Sequence, residues 1–273
     1  MANLKDYISN LRNDKEKLIE VLRQRDEGIE DNTTFTQLVS VVEANIGKYK
    51  PRVTSFREYN GTELDYELNN IDMSLLTSTS FLFYRCQKLE NIPVKQLDTR
   101  NVTSMNSMFS SCAVLQSIPQ MDTSKVTSMS SMFDGCKKIQ SIPQFDTSNV
   151  TSVSNMLYSC SALQSIPLLD FGKVVQINYF AVYNYALTSI GGFKDLGKAY
   201  LTTRAANYYE YKLDLHDCVS LTHDSLMNVI NNLYDIASIG VQPQQLVLGT
   251  TNLAKLTEEE IAIATNKGWN VTT

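Results

Sequence analysis

Apolar residues along the middle of the chain recur with two periods at once, a short one inside each unit and a long one of 24 residues between units. In the unit that begins at Asp122, the positions Val126, Met129, Met132, Phe133 and Cys136 stand at helical intervals, which predicts a short helix with Thr127 as its N-cap. After a corner at "KK", Ile139 and Ile142 carry the chain into a brief extended segment. Pro143 ends it, because proline has no N–H to offer a longer ladder. Each unit is expected to be a helical turn or two, a corner and a short strand.

The long period is marked by three residue types. Ile-Pro pairs begin at Ile92, Ile118, Ile142 and Ile166, cysteines fall at Cys86, Cys112, Cys136 and Cys160, and aspartates at Asp98, Asp122, Asp146 and Asp170. The spacing is 24 residues and once 26, with the extra pair between Pro93 and Asp98, where an insertion marks a loop. A less regular forerunner starts at Asp72. A degraded last copy puts Val174, Ile177, Phe180, Asn184, Leu187 and Ile190 in the places of Val150, Val153, Met156, Cys160, Leu163 and Ile166. So short a unit buries too few apolar side chains to offset the ordering of its own backbone, so it is stable only against neighbours. Repetition at this period therefore predicts a solenoid.

The stretch "DTSNVTSVSNMLYSCSALQSIP" resembles the leucine-rich repeats of the BspA-like class, with their Val-Thr, their Met-Phe or Ala-Phe pair, their cysteine and their Leu-x-x-Ile strand. Farther on, "LDLHDCVSL" and "LVLGTTNLAKL" resemble the core of ordinary leucine-rich repeats. Each precedes a helix pattern, the second opened by a Thr257/Glu260 capping box and stopped at Gly268. The resemblance implies an α/β fold: a leucine-rich repeat solenoid of 24-residue BspA-like units preceded by N-terminal helices. The expected parts are residues 1–48, an N-terminal helical anchoring or oligomerisation segment; 49–71, a connector; 72–193, the repeats; and 194–273, a leucine-rich-repeat-like cap.

The N-terminal segment has a different pattern. Leu4, Ile8, Leu11, Leu18, Leu22 and Ile29 follow a 4-3 spacing, interrupted by Lys15 and Arg25, and predict an amphipathic helix. Its seam suits homo-oligomerisation, or packing against a second helix, "FTQLVSVVEANI" capped by Thr34, or against another protein. The arrangement is similar to the N-terminal segments of phage tail and fibre proteins, which implies attachment to other virion proteins.

Composition narrows the partners. A net charge of -5 with no basic stripe argues against nucleic acid, and the absence of a run of about 18 apolar residues argues against membrane insertion. The charged N-terminal stretch lacks the apolar core of a secretory signal, so no address for export is expected. The five cysteines form no Cys-x-x-Cys pair and, being flanked by apolar residues, read as buried thiols stacked in a ladder. His216 and His223 stand beside Asp214, Asp217 and Asp224, an acid–base or metal-like cluster on paper, though turn residues and helix caps are the preferred reading. Asn-x-Thr sequons at Asn32, Asn60, Asn101, Asn149 and Asn270 are in part a by-product of the repeat. No catalytic residue, metal or cofactor is expected.

Stacking converts exposed repeat positions into rows. Gln116, Gln140 and Gln164 make one, Ser117, Ser141 and Ser165 the next, both suited to hydrogen-bonding sugars or peptide edges, or simply to solvating the sheet. Tyr179, Tyr183 and Tyr185 replace the polar Asn155, Ser159 and Ser161, giving large apolar faces with polar tips. They suit a partner or glycan contact, or packing against the irregular segment 194–211 near Tyr208, Tyr209 and Tyr211. The functional expectation is a non-enzymatic bacteriophage virion protein, of tail/fibre or particle-decorating type, that presents its repeats to a host cell-surface protein or glycan. The alternative is a BspA-like adhesin on a bacterial cell surface.

Overall fold

The computed structural model describes residues 76–92, 97–199, 211–240 and 242–273, all within one compact unit of the chain. The predicted N-terminal helix positions, Leu4 to Ile29, and the connector lie outside the described residues.

Successive units lie side by side in parallel and in register. Parallel bridges join Ser78 to Ser104, Ser104 to Ser128, Ser128 to Ser152 and Ser152 to Gln176, one repeat apart each time. The segment expected to be a helix is a ribbon of linked turns instead. Met132 N–H donates to Met129 C=O at 3.2 Å, Asp134 to Ser131 at 3.2 Å and Cys136 to Phe133 at 2.9 Å, each bond spanning three residues. The intervening N–H groups, of Met129, Ser131, Phe133 and Gly135, point sideways and donate to Ser152, Ser154, Met156 and Tyr158 of the next unit at 2.8 to 2.9 Å. A helix would turn every N–H along its own axis, leaving none for a neighbour. Thr127 is accordingly no N-cap: its N–H and its hydroxyl both donate to Thr103 C=O, at 2.8 and 3.1 Å.

The ribbon's geometry also requires positive φ at the third residue of alternate turns, as type II turns do. Ser131 (φ 55°) and Gly135 (φ 73°) hold these places in one unit, Asn155 (55°) and Ser159 (56°) in the next. Serine, glycine and asparagine are small or tolerant of left-handed backbone, which explains a run of otherwise featureless residues.

Between ribbon and strand lies a core built of ladders. Phe83, Phe109 and Phe133 stack with ring centroids 5.3 and 5.6 Å apart. The thiols of Cys112, Cys136 and Cys160 each donate to the phenylalanine carbonyl of the preceding unit, Phe83, Phe109 and Phe133, at 2.9, 3.1 and 3.1 Å. Burial pushes the pKa values of the Cys136 and Cys160 thiols well above the ordinary thiol value, so they remain protonated donors. Asn184, in the cysteine place of the last unit, does the same work with its amide, donating to Leu157 C=O at 2.9 Å. Cys218 continues the column onto Ala181 C=O at 3.3 Å. Thr99, Thr123 and Thr147 supply another column, each hydroxyl donating to the backbone carbonyl of the next unit's aspartate.

Among the described residues, only the later units have strands of more than one bridge: β1 (Ser165–Ile166), β2 (Leu169–Asp170), β3 (Ser189–Ile190) and β4 (Phe193–Lys194), with β1 parallel to β3 and β2 parallel to β4. The C-terminal part changes style. A parallel three-stranded sheet is ordered β5 (Lys212–Asp214), β6 (Gln244–Val247), β7 (Trp269–Thr272), with helices α1 (His223–Asn232), α2 (Gly249–Leu253) and α3 (Glu258–Asn266) between its strands. The α3 capping box at Thr257 and Glu260 forms as its sequence predicts, whereas strand β7 had no counterpart among the sequence expectations.

Helix α1 covers the edge of β3 rather than merely following it. Ser225 Oγ accepts from Ile190 N–H at 3.2 Å and donates to Thr188 C=O at 3.0 Å, and Asn228 Nδ2 donates to Ile190 C=O at 3.1 Å. These side chains occupy backbone groups that a further strand would otherwise pair, so the β3 edge is closed to strand addition there. Among the described residues no helix is long and apolar enough to cross a membrane.

Candidate functional site

The Gln and Ser rows follow the corner of each unit and run with the strands. Gln164 N–H donates to Gln140 C=O at 2.8 Å and Gln116 N–H to Glu90 C=O at 2.7 Å, while Ser117 bridges Asn91 and Ser141 bridges Ser165. Gln116, Gln140, Gln164, Ser117 and Ser141 are exposed and Ser165 is half-buried. Their backbones are committed to the ladder, and the side chains are left as a flat, uncharged strip. Ser117 Oγ already donates to Asn91 Oδ1 at 2.8 Å.

The tyrosines occupy the other segment, the turn ribbon. Tyr179 and Tyr183 hold the two positive-φ positions of the last unit, at φ 55° and 65°, where the three units before it carry Ser, Gly or Asn and the first unit carries Phe81 and Arg85. A bulky side chain in that region costs on the order of 1–3 kcal/mol unless something compensates for it. Their rings are not withdrawn into the core: Tyr179, Tyr183 and Tyr185 are 56%, 40% and 51% exposed. Tyr158 stands between them, edge-on to Tyr183 at 5.2 Å and to Tyr179 at 6.4 Å, and Tyr185 leans on Tyr183 at 6.4 Å. Tyr211, which the sequence allowed as a neighbour, is elsewhere: it is buried, and its hydroxyl donates to Val174 C=O at 3.1 Å. Tyr208 and Tyr209 lie outside the described residues.

Two carboxylates act electrostatically on the cluster. Desolvation, Tyr183 and then Asp134 raise the Tyr158 phenol above its ordinary value, and desolvation followed by Asp217 does so for Tyr185. Asp134 is itself half-buried, and burial pushes its carboxyl up. The backbone contributes as well. In the earlier units the N–H groups at the positive-φ positions all donate to the next unit, as Asn155 does to Asn178 C=O and Ser159 to Val182 C=O, both at 2.9 Å. Among the described residues no carbonyl accepts from the N–H of Tyr179 or of Tyr183. The patch thus combines exposed aromatic faces with phenol hydroxyls that can donate and accept.

Sequence reasoning missed a second aromatic group in the same rows. Phe81, Tyr84 and Arg85 stand in the first unit where Tyr179, Tyr158 and Tyr183 stand later, Phe81 is 46% exposed at φ 61°, and the Arg85 guanidinium lies over the Tyr84 ring at 5.1 Å. The signal was present: these residues align at the repeat spacing with the later tyrosines, but the forerunner unit is too irregular for the alignment to stand out.

The histidines are held by carboxylates. His216 Nδ1 is 2.6 Å from Asp214 Oδ1, and Asp214 also meets Lys212 at 3.1 Å; these three, with Val247, Gly249, Thr250, Thr251 and Thr273, line a groove of about 520 Å³. Asp217 Oδ2 is 3.2 Å from His216 Nε2 without hydrogen-bond geometry. Hydrogen bonding to His216 and Lys212 outweighs burial and holds Asp214 below the usual carboxylate range. His223, in the first turn of α1, pairs through Nε2 with Glu260 Oε1 of α3 at 2.8 Å, so it ties two helices together. No group of three or more ligating side chains that could hold a metal ion occurs among the described residues.

Residues 53–180 match the family model described as Mycoplasma protein of unknown function, DUF285, a family associated with BspA-like repeat proteins. No curated protein and no solved structure matches the chain.

Proposed function

We propose that this chain is a non-enzymatic attachment protein: a leucine-rich-repeat solenoid that presents the tyrosine end of its turn ribbon to a host-surface partner. The observation that carries the reading is the pair of exposed tyrosines, Tyr179 and Tyr183, at left-handed backbone positions. Folding alone favours the Ser, Gly or Asn of the neighbouring units there, so the aromatic rings serve contact with something outside the unit. The solenoid class is supported by parallel hydrogen bonding one repeat apart and by the continuous phenylalanine and thiol ladders. A binding role is favoured because the exposed tyrosines are where the repeat departs from itself, while His223 is taken up in joining α1 to α3 through Glu260.

The resemblance of the N-terminal segment to phage tail and fibre proteins supports a virion as the carrier, with anchoring through the residues from Leu4 to Ile29 by self-association or by contact with other virion proteins. The match of residues 53–180 to a Mycoplasma family favours a second reading, an adhesin on a bacterial cell surface. Mass spectrometry of purified particles and of cell-envelope fractions separates the two. Recovery in particles supports the first, recovery in envelopes the second, and recovery in neither sinks both.

A further inference from the structure

We propose that the cluster of Tyr158, Tyr179, Tyr183 and Tyr185 binds an uncharged carbohydrate, with sugar rings laid against the phenol faces. This rests on the attachment reading and adds the chemical class of the ligand.

Three features must be matched at once. The rings of Tyr179 and Tyr185 are more than half exposed and offer flat apolar faces, which pack well against the C–H face of a pyranose and poorly against a charged group that must stay hydrated. The N–H groups of Tyr179 and Tyr183 have no acceptor among the described residues, so the oxygens of a ligand that reaches them would find donors there. Asp134 holds the repeat position of Tyr158 in the adjacent unit, where Gly135 N–H donates to Tyr158 C=O at 2.9 Å, and it is half-buried; a carboxylate there accepts from hydroxyl donors and repels anions. A sugar carries C–H faces, acceptor oxygens and hydroxyl donors within one ring, and an anionic polymer fails the third requirement.

Length follows from the stack. Units are separated by about 4.8 Å, the spacing of adjacent strands, and the rows leading away from the tyrosines present Asn155, Ser131 and Ser107, and Ser159, Gly135 and Ser111, all partly exposed. These side chains are small and neutral. A linear chain of hexoses has room to continue from the aromatic end along these rows.

The repeat supplies its own control. Tyr179→Asn and Tyr185→Ser restore the residues of the preceding unit, Asn155 and Ser161, and asparagine accepts left-handed backbone more readily than tyrosine. The double variant of the full chain is therefore expected to melt no lower than the parent. Calorimetric titration with cellotetraose, maltotetraose and N-acetylchitotetraose, against a hyaluronan tetrasaccharide as the anionic comparator, should show binding of at least one neutral probe. The double variant should weaken that binding by about ten-fold or more, the scale of losing one or two aromatic contacts. Absence of binding by every neutral probe, tighter binding of the anionic one, or an unchanged constant in the double variant overturns the proposal. A parallel adhesion assay on host cells separates it from the attachment reading. Adhesion abolished by periodate but retained after protease supports a glycan; adhesion abolished by protease alone overturns the carbohydrate assignment while attachment stands. No adhesion to untreated cells overturns the attachment reading itself.

Discussion

Asn184→Cys tests whether the thiol column is an interchangeable set of donors. Asn184 is fully buried, and its Nδ2 donates to Leu157 C=O at 2.9 Å and Ala181 C=O at 2.8 Å, while its Oδ1 has no hydrogen-bond partner among the described residues. Cysteine would remove that orphaned oxygen, a relief of about 1–3 kcal/mol, and would forfeit one amide bond worth about 0.5–1.5 kcal/mol. The Ala181 carbonyl keeps the Cys218 thiol at 3.3 Å, and the new thiol takes the Leu157 carbonyl as Cys160 takes that of Phe133. A thiol is the weaker donor, so the balance is a gain of about 1 kcal/mol or slightly less, or about 2–4 °C in Tm for a folded unit of this size. Asn184→Ala keeps neither donor and leaves the Leu157 carbonyl unpaired beside a cavity, for a loss of about 2–4 kcal/mol. Urea unfolding of the full chain and of both variants, under reducing conditions, measures the two numbers. If Asn184→Cys is destabilised by more than about 1 kcal/mol, or if the two variants unfold alike, the column is not a set of equivalent donors and the reasoning fails.

Two further outcomes follow from the packing. Phe109→Ala removes the middle of the phenylalanine stack, fully buried between Phe83 and Phe133, and should cost about 3–5 kcal/mol. Because repeats couple mainly to neighbours, hydrogen exchange should accelerate first in residues 97–145 and last in 211–273; uniform acceleration would contradict this. The His223–Glu260 pair should give stability a pH window: hydrogen bonding to Glu260, then to Asp224, raises His223, and bonding to Thr257 N–H, then to His223, lowers Glu260. The histidine contribution is complete below about pH 6.5 and fades as pH rises through its raised folded value, while the carboxylate contribution is complete above about pH 4.3 and fades as pH falls through its lowered one. A Tm profile of the parent should fall on both sides of that window, and Glu260→Gln should flatten the alkaline side; an unchanged profile in the variant would discount the pair.

The stacking was legible because the repeat is written in the sequence several times, and each cysteine, aspartate and Ile-Pro pair keeps its phase. The capping box at Thr257 and Glu260 and the helix after Thr222 were legible for the same local reason, since cap chemistry acts over three or four residues. The conformation of the ribbon was not. Met129, Met132, Phe133 and Cys136 have helical spacing, and a succession of three-residue turns returns side chains to one side at nearly the same interval. Only the direction of the N–H groups distinguishes the two, and that direction depends on whether a neighbouring unit offers carbonyls. Of the candidate site, Tyr179, Tyr183 and Tyr185 could be found as departures from the repeat. Tyr158 escaped notice because its own unit is regular, and it joins the cluster only through contact across units.

By itself, the sequence determined the period, the core positions, the residue type at the cysteine place of each repeat and the places where the units disagree, because these are matters of residue type at a fixed spacing. The tertiary structure alone decided that Ser131, Gly135, Tyr179 and Tyr183 sit at left-handed backbone positions, that Ser225 and Asn228 close the edge of β3, and that the tyrosine N–H groups have no acceptor among the described residues. Each depends on what the neighbouring unit offers or withholds, and a backbone group's partner across a stack is not encoded in the residues on either side of it.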